Sequence, residues 1–459
     1  MAGSDIRPFL SPRSVAVIGA SASPGRVGYT IVENLLSAPQ PPRVFPVNPR
    51  GGEVLGRTTY TSQDNLPEPA ELAIIAVAPV AIPGVIEDCA RHGVKAAIIT
   101  TSGFAEGGKE GRLLQDGMVA TARRGGLRLM GPNTQGTIDL DAGLPLLSIP
   151  FLPRFRRPGL VSFVVQSALF PWEFFLNHAH IGISKMIDLG NMCDVDHADC
   201  VDYLAEDSST RVIVLHIEGV SYGRRLMEAC RRATRRKPII ALKAGRTAAG
   251  MRAVASHTGS LAGRDEIYET AFHQAEVFRA YDMDDMCDYI LALGCLPPVK
   301  GRRVGILTTT GAGGAVAADA CHNLGLEVPS LAPSTIERIR EALPGLVSIH
   351  NPVDVWQMLD MPRLLPGYAA ALRALGDDPG LDALMLVTHV IPDSPFDTTD
   401  VLREYCAAGV PKPTSVWALG SPERLQGLSL LSAQGLPYFP TIARAVRALG
   451  VSFAYQQRG

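Results

Sequence analysis

The sequence predicts an α/β chain of three doubly wound domains with mainly parallel sheets. Three observations lead there. Short Val-, Ile- and Leu-rich runs recur along the 459 residues, each followed by a Gly- or Ser-containing turn and a segment of helical period. The runs are continuously apolar rather than alternating, as expected for strands covered by helices on both faces. Two proline-rich breaks, FLPRFRRPG (151–159) and CLPPVKGRR (295–303), interrupt the period. They divide the chain into about 1–150, 158–295 and 301–459, in keeping with roughly 100–200 residues per domain.

In the first domain the strand-like runs are SVAVIGAS (14–21), RVFPVNP (43–49), LAIIAVAP (72–79), KAAIIT (95–100) and LRLMGPN (127–133). The second has LVSFVVQS (160–167), SKMIDLGN (184–191), RVIVLHIEG (211–219) and PIIALKAG (238–245). The third opens on RVGILTTTG (303–311) and continues to DALMLVTHV (382–390). Segments such as GYTIVENLLSA, GRRLMEACRRATRR and GAVAADACHNLGLE between them carry helical spacing. In such folds the active residues lie at the carboxyl ends of the strands.

Composition narrows the class. Hydrophobic content of 46% and charged content of 19% are those of a globular enzyme. A formal net charge of −2 gives no global field for nucleic acid or a membrane surface. The basic run RRATRRKP (231–238) solvates a helix end. The eight cysteines form no CxxC pair, and the one CxxH, Cys89 to His92, lacks a second ligand pair. Neither a metal site nor a disulfide framework is indicated. The N-terminus has no secretory pattern, and no apolar run approaches the ~20 residues of a membrane span. A reduced, cytoplasmic protein is expected.

Two segments carry chemistry. After the first strand, glycines at 19, 25 and 28 enclose Ser21 and Ser23 and lead into a helix, a turn that aims backbone N–H groups at phosphate. The spacing is not G-x-G-x-x-G. The second strand ends in Asn48-Pro49-Arg50, with no acidic residue for a ribose 2′-hydroxyl. A nucleotide with a phosphorylated ribose, as in coenzyme A, fits better than NAD. The other segment, RTAAGMRAVASHTGSLAG (246–263), has no hydrophobic period and is expected to be a long loop. It offers His257 among Ser256, Thr258 and Gly259, small neighbours that leave the imidazole open to a bulky charged reactant.

Taken in order, VIGASASPGRVG, PVNPRGG, TTSGFAE, GPNTQG, VVQSALF, LGNMCDVD, HIEG, LKAGRTAAG, SHTGSLAG and NPVD make the chain resemble ADP-forming acyl-CoA synthetases. These are relatives of succinyl-CoA synthetase, and the resemblance covers essentially the whole chain. It implies an α subunit with a Rossmann-like CoA-binding domain, a flavodoxin-like phosphohistidine domain and a third flavodoxin-like domain. It also implies a separate ATP-grasp β subunit, in an α2β2 assembly, that holds ATP or ADP and Mg. The small carboxylic acid is the remaining substrate. By resemblance His257 carries the phosphoryl group and Glu218 orients its ring. Gln166, Ser167, Ala168, Trp172, Thr258 and Gly259 surround the phosphate and acyl site. Gly19, Ser21, Ser23, Gly25, Asn48, Arg50, Ser102, Gly103, Phe104 and Asn133 bind CoA, with Arg50 near the 3′-phosphate and 102–104 along the pantetheine arm.

The sequence departs from the family at three places. Ala168 stands where a glycine is usual, and a positive φ there would cost about 1 kcal/mol. LFPWEFF follows, bulkier than in acetate-active members, so Trp172 and Phe170 are expected to reshape the acyl site. Phe174 and Phe175 read as core. GPNTQG replaces GPNCLG. Two alternatives to the ligase are a CoA-binding regulatory protein impaired through Ala168 or lack of a β partner, and an NAD(P)-dependent oxidoreductase. Retention of both His257 and Glu218 argues against the first, and the glycine spacing against the second.

Overall fold

A computed structural model describes residues 5–152, 155, 157–258, 263–358 and 364–458. Within it the chain separates into two units, Met1–Met286 and Cys287–Gly459. The first unit holds two sheets. One is built from β1 (Ser14–Ile18), β2 (Arg43–Val47), β5 (Leu72–Ile75), β6 (Ala96–Ile99) and β7 (Arg128–Met130), with a short ribbon, β3 (Glu53–Val54) and β4 (Arg57–Thr58), alongside. Its order is β2-β1-β5-β6-β7, all parallel. β1, β5 and β6 are buried along their whole length, which is why the sequence shows continuous apolar runs there. Helices α1 (Val27–Leu36), α2 (Ile82–Arg91) and α3 (Lys109–Arg124) cover it.

The second sheet contains β8 (Gly136–Asp139), β9 (Leu144–Leu147), β10 (Pro158–Val165), β11 (Ile183–Asp188), β12 (Val212–Ile217), β13 (Ile239–Lys243) and β14 (Phe278–Ala280). Its order is β14-β13-β12-β10-β11-β8-β9. β8 pairs antiparallel with β11 and closes a hairpin with β9. The hairpin precedes the break at 151–159, so the sequence places it with the first domain, whereas its hydrogen bonds belong to the second sheet. Helices α4 (Leu169–Asn177), α5 (His197–Glu206), α6 (Gly223–Ala233), α7 (Ala248–Thr258) and α8 (Asp265–Gln274) complete this part.

Helix α7 corrects the expectation of a long loop over 246–263. Ala, Met and Arg are strong helix formers, and the Thr247 hydroxyl accepts from Gly250 N at 3.1 Å to cap the first turn. Of the side chains described in α7, only Val254 is buried. A helix that buries one residue needs no apolar stripe, so hydrophobic period gave no sign of it.

In the second unit, β15 (Val304–Thr308), β16 (Val353–Asp354), β17 (Ala383–Val390) and β18 (Thr414–Gly420) form a parallel sheet in the order β16-β15-β17-β18. Asp288 anchors the helices here, accepting a two-pronged pair from Arg444 at 2.7 and 2.8 Å and another bond from Arg447 at 2.8 Å.

Candidate active site

Each sheet of the first unit has one place where the connections from neighbouring parallel strands lead off to opposite sides, and ligands of doubly wound sheets bind there. In the first sheet it lies between β1 and β5. Gly19 leaves β1 with φ +96°, its N–H donating to Val47 O at 3.0 Å. A Cβ on Gly19 would sit 2.4 Å from Ala76 O, and one on Gly28 would sit 2.1 Å from Gly19 O. Both glycines are dictated by backbone meeting backbone, Gly19 against the chain leaving β5 and Gly28 where α1 crosses the turn. Gly25 has φ +81° and open space around it, and Ser21 to Gly25 line the rim. Asn48 ties the second strand to this turn, donating to Ala20 O at 2.8 Å and accepting from Arg50 N at 3.0 Å. Gly103 (φ +102°) and Asn133 (φ +60°) close the same edge after β6 and β7.

Ser102 is exposed there, but Phe104 is not: its side chain is 0% exposed and belongs to the core under the sheet. The whole residue is buried, backbone included, so Phe104 does not line the pantetheine arm as expected.

In the second sheet the switch lies between β10 and β12. Gln166 and Ser167 follow β10, and Glu218 follows β12. His257, in the last turn of α7, brings Nδ1 to 2.8 and 3.0 Å from the two carboxylate oxygens of Glu218. The His257 side chain is 54% exposed and that of Glu218 6%. With Nδ1–H donating to the carboxylate, the lone pair sits on Nε2. Thr258 ends α7, and Gly259 lies outside the described residues.

Gln166 is almost fully buried, and its Oε1 accepts from Glu218 N at 2.8 Å and Gly219 N at 3.1 Å. Its Nε2 has no partner among the described residues, leaving a buried donor at the site. Ala168 caps α4 with φ −72° and ψ −1°, ordinary right-handed backbone, so the strain expected for alanine does not arise.

Trp172 donates from Nε1 to Gln135 Oε1 at 2.9 Å, and its ring packs 5.5 Å from Phe155 and 5.4 Å from Phe175. Phe170 stacks on His216 with ring centroids 4.0 Å apart. Phe174 and Phe175 are core, at 0% and 2% exposed.

Sequence reasoning missed the buried ionisable groups behind these residues. Burial pushes the His216 imidazole down to about 3, helped by His197, His257 and Lys243, and His197 down to about 4. Burial raises Asp188 to about 6, against the N–H groups of Gln135 and Gly190 that it accepts. Lys243 is lowered to about 8, chiefly by burial. Glu106 was also missed. It accepts from Gly103 N at 2.6 Å and from the Asn191 amide, linking the 102–107 turn to the end of β11. That turn lies beside α7, so the CoA-side loop and the histidine helix are neighbours.

Models for a CoA binding domain match residues 13–138, for a succinyl-CoA ligase like flavodoxin domain 158–293, and for a ligase-CoA domain 304–458. The α subunit of acetate–CoA ligase (ADP-forming) I from Pyrococcus furiosus is 35% identical over 98% of both chains. The chain belongs to the ADP-forming acid–CoA ligase family. It aligns over 99% of its length, at 31% identity, with acetate–CoA ligase (ADP-forming) II of Archaeoglobus fulgidus, of which it spans 67%. Among solved structures, the dinucleotide forming acetyl-coenzyme A synthetase 1 of Ca. Korarchaeum cryptofilum, in complex with phosphate and ADP, superposes with a TM-score of 0.87. It is 33% identical, with 98% of this chain and 96% of that one covered. Family membership makes the chain an acid–thiol ligase α subunit in which CoA and a nucleotide take part. Among the described residues no helix is long and apolar enough to cross a membrane, and no cluster of His, Cys, Asp and Glu is placed to hold a metal ion.

Proposed function

We propose that His257 is the phosphoryl carrier of a cytoplasmic ADP-forming acyl-CoA synthetase, working with an ATP-grasp β subunit in an α2β2 assembly. The observation that carries this reading is the His257–Glu218 pair at the switch point between β10 and β12. Glu218 holds Nδ1–H, so Nε2 is the nucleophile. In the synthetic direction the Nε2–P bond forms as the bond to the departing ADP breaks. The phosphoryl group then passes to a carboxylate oxygen of the acid, giving an acyl phosphate and restoring the imidazole. The CoA thiol loses its proton and attacks the acyl carbon, and inorganic phosphate leaves. Buried Glu218 offsets positive charge on the ring while Nε2 is bonded to phosphorus. The α4 N-terminus and the unpartnered Gln166 Nε2 offer donors to the phosphoryl oxygens. Mg and the nucleotide belong to the partner in this reading.

CoA is assigned to the first sheet's switch point, its diphosphate against the Gly19–Gly28 turn and its 3′-phosphate toward exposed Arg50. Ala168 with negative φ removes one of the two grounds of the regulatory alternative, the other being lack of a β partner. For the acid, Phe170 and Trp172 at the start of α4 are proposed to disfavour acetate. Acetate as the best acid in a substrate screen of the reconstituted enzyme would refute that assignment.

The deciding experiment incubates the chain with its β subunit, Mg and labelled ATP. The α chain should gain an acid-labile, base-stable phosphate. His257→Ala should abolish both label and acyl-CoA formation with CoA affinity unchanged, and Glu218→Gln should lower labelling. Label persisting in His257→Ala would move the carrier to another residue.

A further inference from the structure

The Glu218 main chain is gripped from several sides. Gln166 Oε1 accepts from the N–H groups of 218 and 219, and Lys243 Nζ donates to Glu218 O at 2.9 Å. Lys243 also donates to Ala244 O. It ends β13, in register with Ile217 of β12, one residue before the carboxylate. The residue is 3% exposed, and its ammonium lies 4.8 Å from the centre of the Tyr268 ring. Tyr268 in turn engages the backbone of Val220. Residues 218–220 are thus held by Gln166 after β10, Lys243 of β13 and Tyr268 of α8 together.

An ammonium at the end of a buried strand is costly, and an aliphatic side chain would fill the same space without that cost. What the ammonium adds is a directed bond to the carbonyl of the residue whose carboxylate aligns His257. We propose that Lys243 is a positioning residue for phosphoryl transfer: by fixing the Glu218 peptide it sets the carboxylate that orients the His257 ring. Lys243 acts through Glu218, whose carbonyl it holds. The depressed Lys243 pKa, caused chiefly by burial and partly countered by Asp265 and Glu218, accords with an ammonium held mainly by carbonyls and a ring face.

This inference rests on His257 as the carrier, and its test separates the two claims. The full chain is incubated with phosphoramidate, which needs no β subunit: the P–N bond of the reagent breaks as the Nε2–P bond forms, and ammonia leaves. Lys243→Met should be labelled at His257 about tenfold more slowly than wild type, the low end of what loss of an outer partner behind a functional histidine costs. The His257 Nδ1–H proton resonance should shift, while CoA affinity stays within about twofold because the CoA turn is a separate element. In the reconstituted enzyme the fall should be in kcat, with the KM for CoA unchanged. Wild-type labelling rate and an unshifted resonance in folded Lys243→Met would reduce Lys243 to a space-filling role and overturn the proposal. Should Lys243→Met not fold, Lys243→Arg decides on the same readouts: it keeps the charge but displaces the donors, so labelling should slow, and a wild-type rate overturns the proposal. Failure of the wild-type chain to label at His257 would instead refute the carrier assignment.

Discussion

The turn after β1 and the turn after β10 both leave a parallel strand for a helix at a switch point, yet only the first is built of glycine. At Gly19 and Gly28 the backbone itself occupies the space a Cβ would need. After β10 the corresponding residues are Gln166, Ser167 and Ala168, in ordinary backbone conformations near the helix cap. The difference follows from what does the holding. An anion held by main-chain N–H groups requires that side chains be stripped away. In the proposed reading a phosphoryl group carried on the His257 side chain requires that side chain to be fixed, and Gln166 contributes from within the core by holding the main chain of Glu218 and Gly219.

The largest test of this contrast is Gly28→Ala. The new methyl would lie 2.1 Å from Gly19 O and 2.9 Å from Ala20 Cα, and no rotamer change relieves a clash with backbone. A loss of about 3 kcal/mol in urea unfolding is expected, together with lost CoA binding by calorimetry. His257 labelling by phosphoramidate should persist in the folded fraction. Wild-type CoA affinity in this variant would break the comparison.

Acid should expose the other side of the contrast, because the strongly shifted buried histidines lie behind the second turn. His216 and His197 titrate near 3 and 4 in the folded chain, against about 6.5 when unfolded. Their contribution to stability is complete above that unfolded value and is lost as pH falls below it. Asp188 opposes them: its folded pKa of about 6 lies above the usual carboxylate value, so falling pH stabilises through that window. Between roughly pH 6 and 4 the unfolded state therefore binds about one more proton net. Stability should fall by about 1.4 kcal/mol per pH unit, followed by Trp172 fluorescence in a Trp356→Phe, Trp417→Phe background. His216→Phe, which keeps an aromatic ring against Phe170, should flatten the slope. An unchanged slope would remove His216 from the account.

The sequence made the strands of both turns legible, because strands buried on both faces leave short continuous apolar runs that end in Gly- or Ser-containing turns. His257, Glu218 and the glycines were legible too, through motif order and turn chemistry. Helix α7 was not, since it buries one described side chain and so leaves no period. The β8–β9 hairpin was not, because two four-residue strands carry too little pattern and precede the break while pairing with the sheet that follows it. Lys243 stands in a strand-like run and in the motif LKAGRTAAG, neither of which assigns it a role. A lone charge in PIIALKAG, an otherwise apolar strand end, was the available signal for it.

A smaller effect is expected at the ribose. Arg50 is exposed at the end of the second strand, so the bond proposed between it and a 3′-phosphate would compete with water. Arg50→Ala should weaken CoA by about tenfold, the lower end for a bond to a charged group. The preference for CoA over dephospho-CoA should shrink by the same factor. Tighter binding of NAD than of CoA would refute the assignment of this turn.

The smallest effect belongs to Ala168→Gly, which restores the residue usual in the family. Were the backbone at 168 left-handed, glycine would relieve strain and raise activity. With φ −72° there is no strain to relieve. Glycine adds only unfolded-chain freedom, which costs up to about 1 kcal/mol inside a helix and less at a cap. Ala168 is 3% exposed, so a little packing is lost as well. Urea unfolding should show a decrease below about 1 kcal/mol, and phosphoramidate labelling of His257 should stay within about twofold of wild type. A large gain in labelling would mean that the second turn does want glycine and that the contrast between the two turns is false. An unchanged rate would leave Gln166 and Ser167, rather than backbone freedom at 168, as the features that shape the phosphoryl site.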